Sequence, residues 1–184
     1  MSPSESALRR RAVIATAVTA ALSLAVDLAT KSWAWNNLRD GDRVTVIKHW
    51  FYLDFSFNTG SAFGFLRGTA YARPLFITIT LLTVVYMAAL ARKLPARRLY
   101  GFVAIGLIIG GALGNLHDRL FRQLDVGGTM THGVVDFIQI FYSRNHFSWP
   151  NFNIADTTLV IGVVLLIPFL LLHAPDPEPA KPTA

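Results

Sequence analysis

The 184-residue chain contains no cysteine. That absence removes disulfides, thiolate metal sites and catalytic thiols together, and it excludes anchoring of the protein through a lipidated cysteine of its own. Charge is also scarce. Only 15% of residues are charged against 53% hydrophobic, and the mean hydropathy is +0.43. A composition so apolar excludes an ordinary soluble domain of this length and indicates a membrane protein. An H-E-x-x-H run is missing as well, so the zinc-protease helix motif is absent.

What the chain has instead is long apolar runs. A spanning helix needs about 20 mostly apolar residues, and four segments qualify, at roughly 12–35, 74–91, 99–116 and 156–173. Backbone polar groups inside lipid must be satisfied within the segment, so these are expected to be helices. The fold class expected is an all-α membrane protein of four transmembrane helices with a small extracytoplasmic β-rich loop region. A net charge of +6 raises the possibility of nucleic acid, but the basic residues sit elsewhere. Arg9, Arg10 and Arg11 precede the first helix, and Arg92, Lys93, Arg97 and Arg98 crowd the short second link. Such clusters mark the cytoplasmic side. Both termini are therefore expected in the cytoplasm, with the long connections 36–73 and 117–155 outside. The first helix reads as a retained signal anchor, since its apolar pattern continues past Asp27 and Lys31 to Trp35 with no clean small-x-small site ahead of a polar mature start. Residues 12–173 form one expected domain. The segments 1–11 and 174–184 read as cytoplasmic tails, the polar "MSPSES" and the Pro-rich "APDPEPAKPTA" being expected disordered.

The first outer connection carries "RVTVIKHWFYLDFSFN", residues 43–58, rich in β-branched and aromatic residues with partial alternation. It reads as a strand or hairpin arm, with an open edge able to pair with an extended peptide. An interfacial aromatic belt accounts for part of it, but not for Asn58 and Gly60, which interrupt the run. The sequence after it, with glycines at 64 and 68, reads as a turn and a membrane-facing aromatic piece. In the third helix Gly106, Gly110 and Gly114 make two G-x-x-x-G spacings, read as packing positions. Asn115, Asp118 and Arg119 follow at its outer end, where Asp118 and Arg119 are either a salt bridge or part of a polar cluster bordering a site. Asp27 and Lys31 lie one turn apart within the first span, where ionisable groups face a bundle interior or a cavity. They read as a brace close enough to a site to shape it.

Two carboxylates are harder to place. Asp156 has a simple explanation, because Asn153 as N-cap with Asp156 three residues on resembles a capping box. Asp136 stands between Val134, Val135, Phe137 and Ile138 and must be paired, protonated or at the water's edge. A second carboxylate is the obvious partner. Two carboxyls in contact do not both ionise easily, so one keeps a proton while the other is a base. That arrangement activates water for peptide hydrolysis. The helix N-terminus favours charge on Asp156 and the apolar run favours the proton on Asp136, with the pair titrating as a unit.

With "DLATK", "NTGSAFGFL", "GGALGNLHDR", "GVVDFI" and "FNIADTTLVIG" in order between Asp27 and Gly162, the chain resembles the bacterial lipoprotein (type II) signal peptidases. The resemblance implies a membrane aspartyl endopeptidase without metal or cofactor, in the bacterial inner membrane, with its site at the outer face. The implied substrate is a diacylglyceryl-modified prolipoprotein, cut just before the lipidated cysteine. The implied catalytic pair is Asp136 and Asp156. Asn58, Gly60, Asn115, Arg119 and Asn153 fall on substrate-contacting or dyad-orienting positions, and Asp27, Lys31 and Asp118 on structural support. Membrane lipids are the other expected partner, nucleic acid is not, and a monomer is expected. One departure is the link from Arg119 to Val134, longer than is usual in the family, whose Gly127–Gly128 pair suggests a looped-out insertion.

Three rivals carry less. A proton carrier using Asp27, Asp136 and Asp156 needs acids at mid-depth, and the third and fourth helices offer no polar trail across them. A metalloprotease built on His117, His132 or His146 lacks the motif. A non-catalytic assembly factor has no use for paired aspartates.

Overall fold

The computed structural model describes residues 3–60, 71–141 and 149–173. In chain order the elements are α1 (Pro3–Asn37), β1 (Val44–Ile47), β2 (Phe51–Asn58), α2 (Ala72–Lys93), α3 (Leu99–Phe121), β3 (Gln123–Asp125), β4 (Met130–His132), β5 (Val134–Ile140) and α4 (Ile154–His173). All four helices are long and apolar enough to cross a membrane. The expected piece around Gly64 and Gly68, and the tail 174–184, lie outside the described residues.

Two boundaries differ from the sequence reading. α1 begins at Pro3, so residues 3–11 are helical instead of a polar tail. The physical reason is a tether: the Arg9 guanidinium donates to the carbonyls of Ala91 (2.9 Å) and Leu94 (3.0 Å), and to that of Arg92, at the C-terminal end of α2. Those carbonyls have no helical partner of their own, because Leu94 precedes Pro95 and the helix stops there. α3 runs on to Phe121, which places Asp118 and Arg119 in the helix with Asn115 and not in the outer connection.

α3 is the axis of the bundle, with more than half of its residues buried. Its glycine stripe lets α1 approach closely. A Cβ on Gly106 would lie 2.7 Å from the Thr16 carbonyl, and one on Gly110 would lie 2.6 Å from that of Ala20. One stripe of small residues therefore sets the α1–α3 distance along its length. α4 packs on another side of α3, and α2 makes its principal helix contact with α3 too. Phe102, Ile105, Ile108, Leu166 and Phe169 fill the core at the end formed by the start of α3 and the finish of α4.

At the other end sits a three-stranded antiparallel sheet in the order β1-β2-β5. The segment 43–58 is a full hairpin, its turn placing His49 in the left-handed region at φ 71°. β5 pairs with β2, Ser56 opposite Asp136 and Asn58 opposite Val134. The expected insertion is an ordered two-stranded ribbon, β3–β4. Gly127 and Gly128 take positive φ (65° and 86°) at its tip, a conformation open to glycine at little cost, and Asp125 accepts from the Gly128 amide (2.7 Å). Val135 and Phe137 point into a second core with Ala34 and Leu38, against which Trp35, Phe55 and Phe57 pack. Trp35 meets Phe55 and Phe57 edge-on at 5.8 and 6.0 Å, which fixes the sheet to the end of α1.

Candidate active site

α4 starts at a polar knot. Asn153 Oδ1 accepts from the Asp156 amide (3.0 Å), while Asp156 Oδ2 accepts from the Asn153 amide (3.1 Å). This is the reciprocal capping box expected from the spacing. The Asn153 side chain, fully buried, reaches further than a cap requires. Its Nδ2 lies 2.6 Å from Asp136 Oδ1, 3.1 Å from Asn115 Oδ1 and 3.3 Å from the Val135 carbonyl. One asparagine therefore caps α4 and joins the two aspartate-bearing elements.

Each carboxylate oxygen of the pair has its own donor. Asp136 Oδ1 takes Asn153 Nδ2, and Oδ2 takes Asn58 Nδ2 at 3.0 Å. Asp156 Oδ1 takes Asn115 Nδ2 at 2.8 Å, and Oδ2 takes the Asn153 main-chain amide. The amide orientations are fixed by neighbours that can only donate. Lys31 Nζ donates to Asn115 Oδ1 (2.8 Å), which turns the Asn115 NH2 toward Asp156. The Gly60 amide donates to Asn58 Oδ1 (3.1 Å), which turns the Asn58 NH2 toward Asp136.

The pair sits in contrasting surroundings. Asp136 is buried, 3% exposed, whereas Asp156 is half-buried. Burial pushes the Asp136 carboxyl up to about 7, with the Asp156 charge the next cause in the same direction. The Asn58 and Asn153 amides pull the other way without cancelling it.

Behind the pair lies a buried ionic cluster. Lys31 is 2.7 Å from Asp27 Oδ2 and 3.9 Å from Asp118 Oδ2, all three side chains being fully buried. Asp27 Oδ1 accepts from the Ala155 amide (2.8 Å), the residue before Asp156. Asp118 Oδ2 accepts from the Val135 amide (3.0 Å), the residue before Asp136. The cluster thus grips the main chain immediately ahead of each aspartate.

The expected alternative of an Asp118–Arg119 salt bridge is not what forms. Asp118 pairs with Arg122, one helical turn on, at 3.0 Å, and with His117 at 3.4 Å. Arg119 is engaged with other partners. Its guanidinium donates to the Asn115 carbonyl (3.2 Å) and stacks over Phe76 (4.9 Å), on the side of the aspartates. Sequence reasoning missed Arg122, which also stacks over Trp35 at 5.0 Å. Its i+4 spacing from Asp118 was the available signal. His117 lies beside Asp118, and His132 lies 2.6 Å from Gln123 on the β3–β4 ribbon. His146 lies outside the described residues.

The chain matches the signal peptidase (SPase) II family over residues 19–172. It is 37% identical over 155 residues to the lipoprotein signal peptidase of Bacillus subtilis strain 168, covering 84% of this chain and 92% of that one. It is 35% identical over 165 residues to that of Geobacillus thermodenitrificans, covering 89% and 93%. A bacterial membrane enzyme solved by the in meso method at 2.3 Å resolution superposes with a TM-score of 0.69 at 31% identity, covering 92% of this chain and 93% of that one. Family match, length coverage and fold agree, and the chain belongs to the signal peptidase II family, the lipoprotein signal peptidases.

Proposed function

We propose that the protein removes signal peptides from diacylglyceryl-modified prolipoproteins, cutting before the lipidated cysteine with water activated between Asp136 and Asp156. Membership of the family makes it a membrane-embedded hydrolase that processes prolipoproteins. The aspartate mechanism rests on one observation above all. Two carboxyl groups carried by separate elements are joined through Asn153, and one of them is pushed up to about 7. That combination supplies an acid and a base at neutral pH.

In this reading Asp156 takes a proton from the water as its oxygen attacks the scissile carbonyl. Asp136 gives its proton to the carbonyl oxygen, forming a tetrahedral gem-diol. Collapse returns a proton from the diol to Asp136, and the leaving nitrogen takes the proton held by Asp156. The enzyme ends unchanged and one peptide bond has been hydrolysed. Asn58 and Asn115 hold the carboxyl groups in register, Gly60 fixes Asn58, and Asn153 holds both. The Arg119 guanidinium, stacked over Phe76 of α2, is placed to hold a peptide carbonyl. Asp27, Lys31 and Asp118 act as the brace. The site lies at the end of the bundle away from Arg92, Lys93, Arg97 and Arg98, which by the charge rule is the outer face. There a signal helix lying in lipid beside α2 can present an unwound bond. The exposed Trp50 and Trp149 suit that interfacial level. The protein is taken to act as a monomer.

The pH profile tests this directly. Catalysis needs a proton on Asp136, and the raised carboxyl keeps it up to about 7, so cleavage falls as pH rises past that value. The Asn58 hydrogen bond favours the ionised form. Asn58→Ala removes it, Asp136 holds its proton to higher pH, and the alkaline limb moves upward while the maximal rate drops. Initial rates on a lipidated precursor between about pH 5 and 9 measure both. An alkaline limb that stays put, or shifts downward, contradicts the assignment.

A further inference from the structure

The end of the bundle opposite the aspartates carries a second surface, with a different chemistry. It is formed by the first turns of α1, the end of α2, the link to α3 and the end of α4. Arg10, Arg11, Arg92, Lys93, Arg97 and Arg98 are all exposed there. They are drawn together by Arg9, which is not itself free: its guanidinium is spent on the carbonyls of Ala91, Arg92 and Leu94. That tether closes the start of α1 onto the α2–α3 link, so two basic runs eighty residues apart in sequence become one patch. Acid is nearly absent from the elements that meet there. Across residues 3–26, 72–117 and 157–173, Glu5 is the single Asp or Glu. Among the described residues of these elements, six exposed cations thus face a single carboxylate, and the surface keeps a net positive charge. Their place at the ends of membrane-spanning helices puts them at the depth of lipid phosphates.

We infer that this patch is a binding surface for anionic phospholipid headgroups, which form a preferred lipid shell at the end of the bundle away from the site. Exposed arginines beside one another suit phosphate, since each guanidinium offers a planar pair of donors. Juxtamembrane cations gain favourable energy from an anionic leaflet, and the gain fades beyond a Debye length. The tether gives the surface a fixed shape, because the α1 cations are held against the α2–α3 link without depending on lipid to gather them. The partner is a lipid and not a soluble anion, because the patch borders the apolar flanks of α1 and α2, including exposed Val13, Ile14, Val85 and Tyr86.

The experiment uses the full chain reconstituted in phosphatidylcholine vesicles, with trace spin-labelled phosphatidylglycerol or spin-labelled phosphatidylcholine as probe. The fraction of each probe immobilised at the protein gives the relative association. Phosphatidylglycerol is expected to associate at least about threefold more strongly at low salt. The preference should approach unity in Arg92→Gln/Lys93→Gln/Arg97→Gln/Arg98→Gln, and should persist in Lys48→Gln, which removes an exposed cation from the opposite end. Equal immobilisation of the two lipids overturns the inference, as does a preference that the fourfold variant retains or that Lys48→Gln removes. Should the fourfold variant fail to reconstitute, salt on the wild-type protein decides: loss of the preference at high ionic strength supports the patch, and its persistence overturns it.

Discussion

Asp136→Asn and Asp156→Asn, each purified and given a lipidated precursor, lose about 10²–10⁴-fold or more of the cleavage rate while staying folded. Both substitutions keep shape and leave an amide where an acid or base stood. For Asp136, Asn retains an acceptor for the Asn153 and Asn58 amides, so the hydrogen bonds at 2.6 and 3.0 Å survive in part. For Asp156, one oxygen can still accept from Asn115 or from the Asn153 main chain, and the helix cap is weakened without being lost. The variants therefore separate chemistry from structure. Thermal melting near that of the wild type, with turnover abolished, is the expected pairing. Near-normal turnover in either variant removes that carboxyl from the mechanism.

Lys31→Met produces the other large effect, and it falls on the fold. Lys31 is the cation shared by Asp27, Asp118 and Asn115, and it and both carboxylates are fully buried. Removing it leaves buried carboxylates undercompensated, a loss on the order of 3–5 kcal/mol. Asp118 keeps Arg122, so Asp27 bears most of the damage. The damage should reach the site along identifiable bonds. Asp27 holds the Ala155 amide, and Lys31 sets the flip of Asn115, which in turn faces Asp156. A clear drop in melting temperature in detergent, accompanied by lost activity, is the expected result. Lys31→Met/Asp27→Asn should recover much of the stability, because the asparagine still offers Oδ1 to Ala155 without a buried charge. A double variant as unstable as the single one contradicts the brace.

The sequence disclosed the elements whose signal is local. Spans follow from apolar length, the capping box from the Asn153–Asp156 spacing, and the oddity of Asp136 from its apolar neighbours. The Gly106, Gly110 and Gly114 stripe was legible for the same reason, since helical spacing alone puts three small residues on one face. What stayed hidden depends on contacts between distant segments. β5 was not recognised as a strand because it is buried on both faces around Asp136, so Val134 to Ile138 shows no alternation. The tie from Asp118 to the Val135 amide joins a side chain to a main-chain group, and composition carries no trace of such a bond. Arg9 reads from the sequence as a topology signal alone, and its capture of the α2 carbonyls depends on where α2 ends in space. The β3–β4 ribbon was expected as a looped-out insertion. The two glycines that suggested a loop are instead its turn.

The functional account needs two acids that respond to one another, and carboxyl-carbon NMR of aspartate-labelled protein observes that coupling itself. In the wild type the Asp136 carboxyl should titrate near 7. In Asp156→Asn the neighbouring charge is gone while burial remains, so the Asp136 titration should move to lower pH yet stay above the ordinary value of 3.8. An Asp136 carboxyl that ionises in the ordinary range, or one that is indifferent to the loss of Asp156, would mean that the two residues are neighbours without being partners.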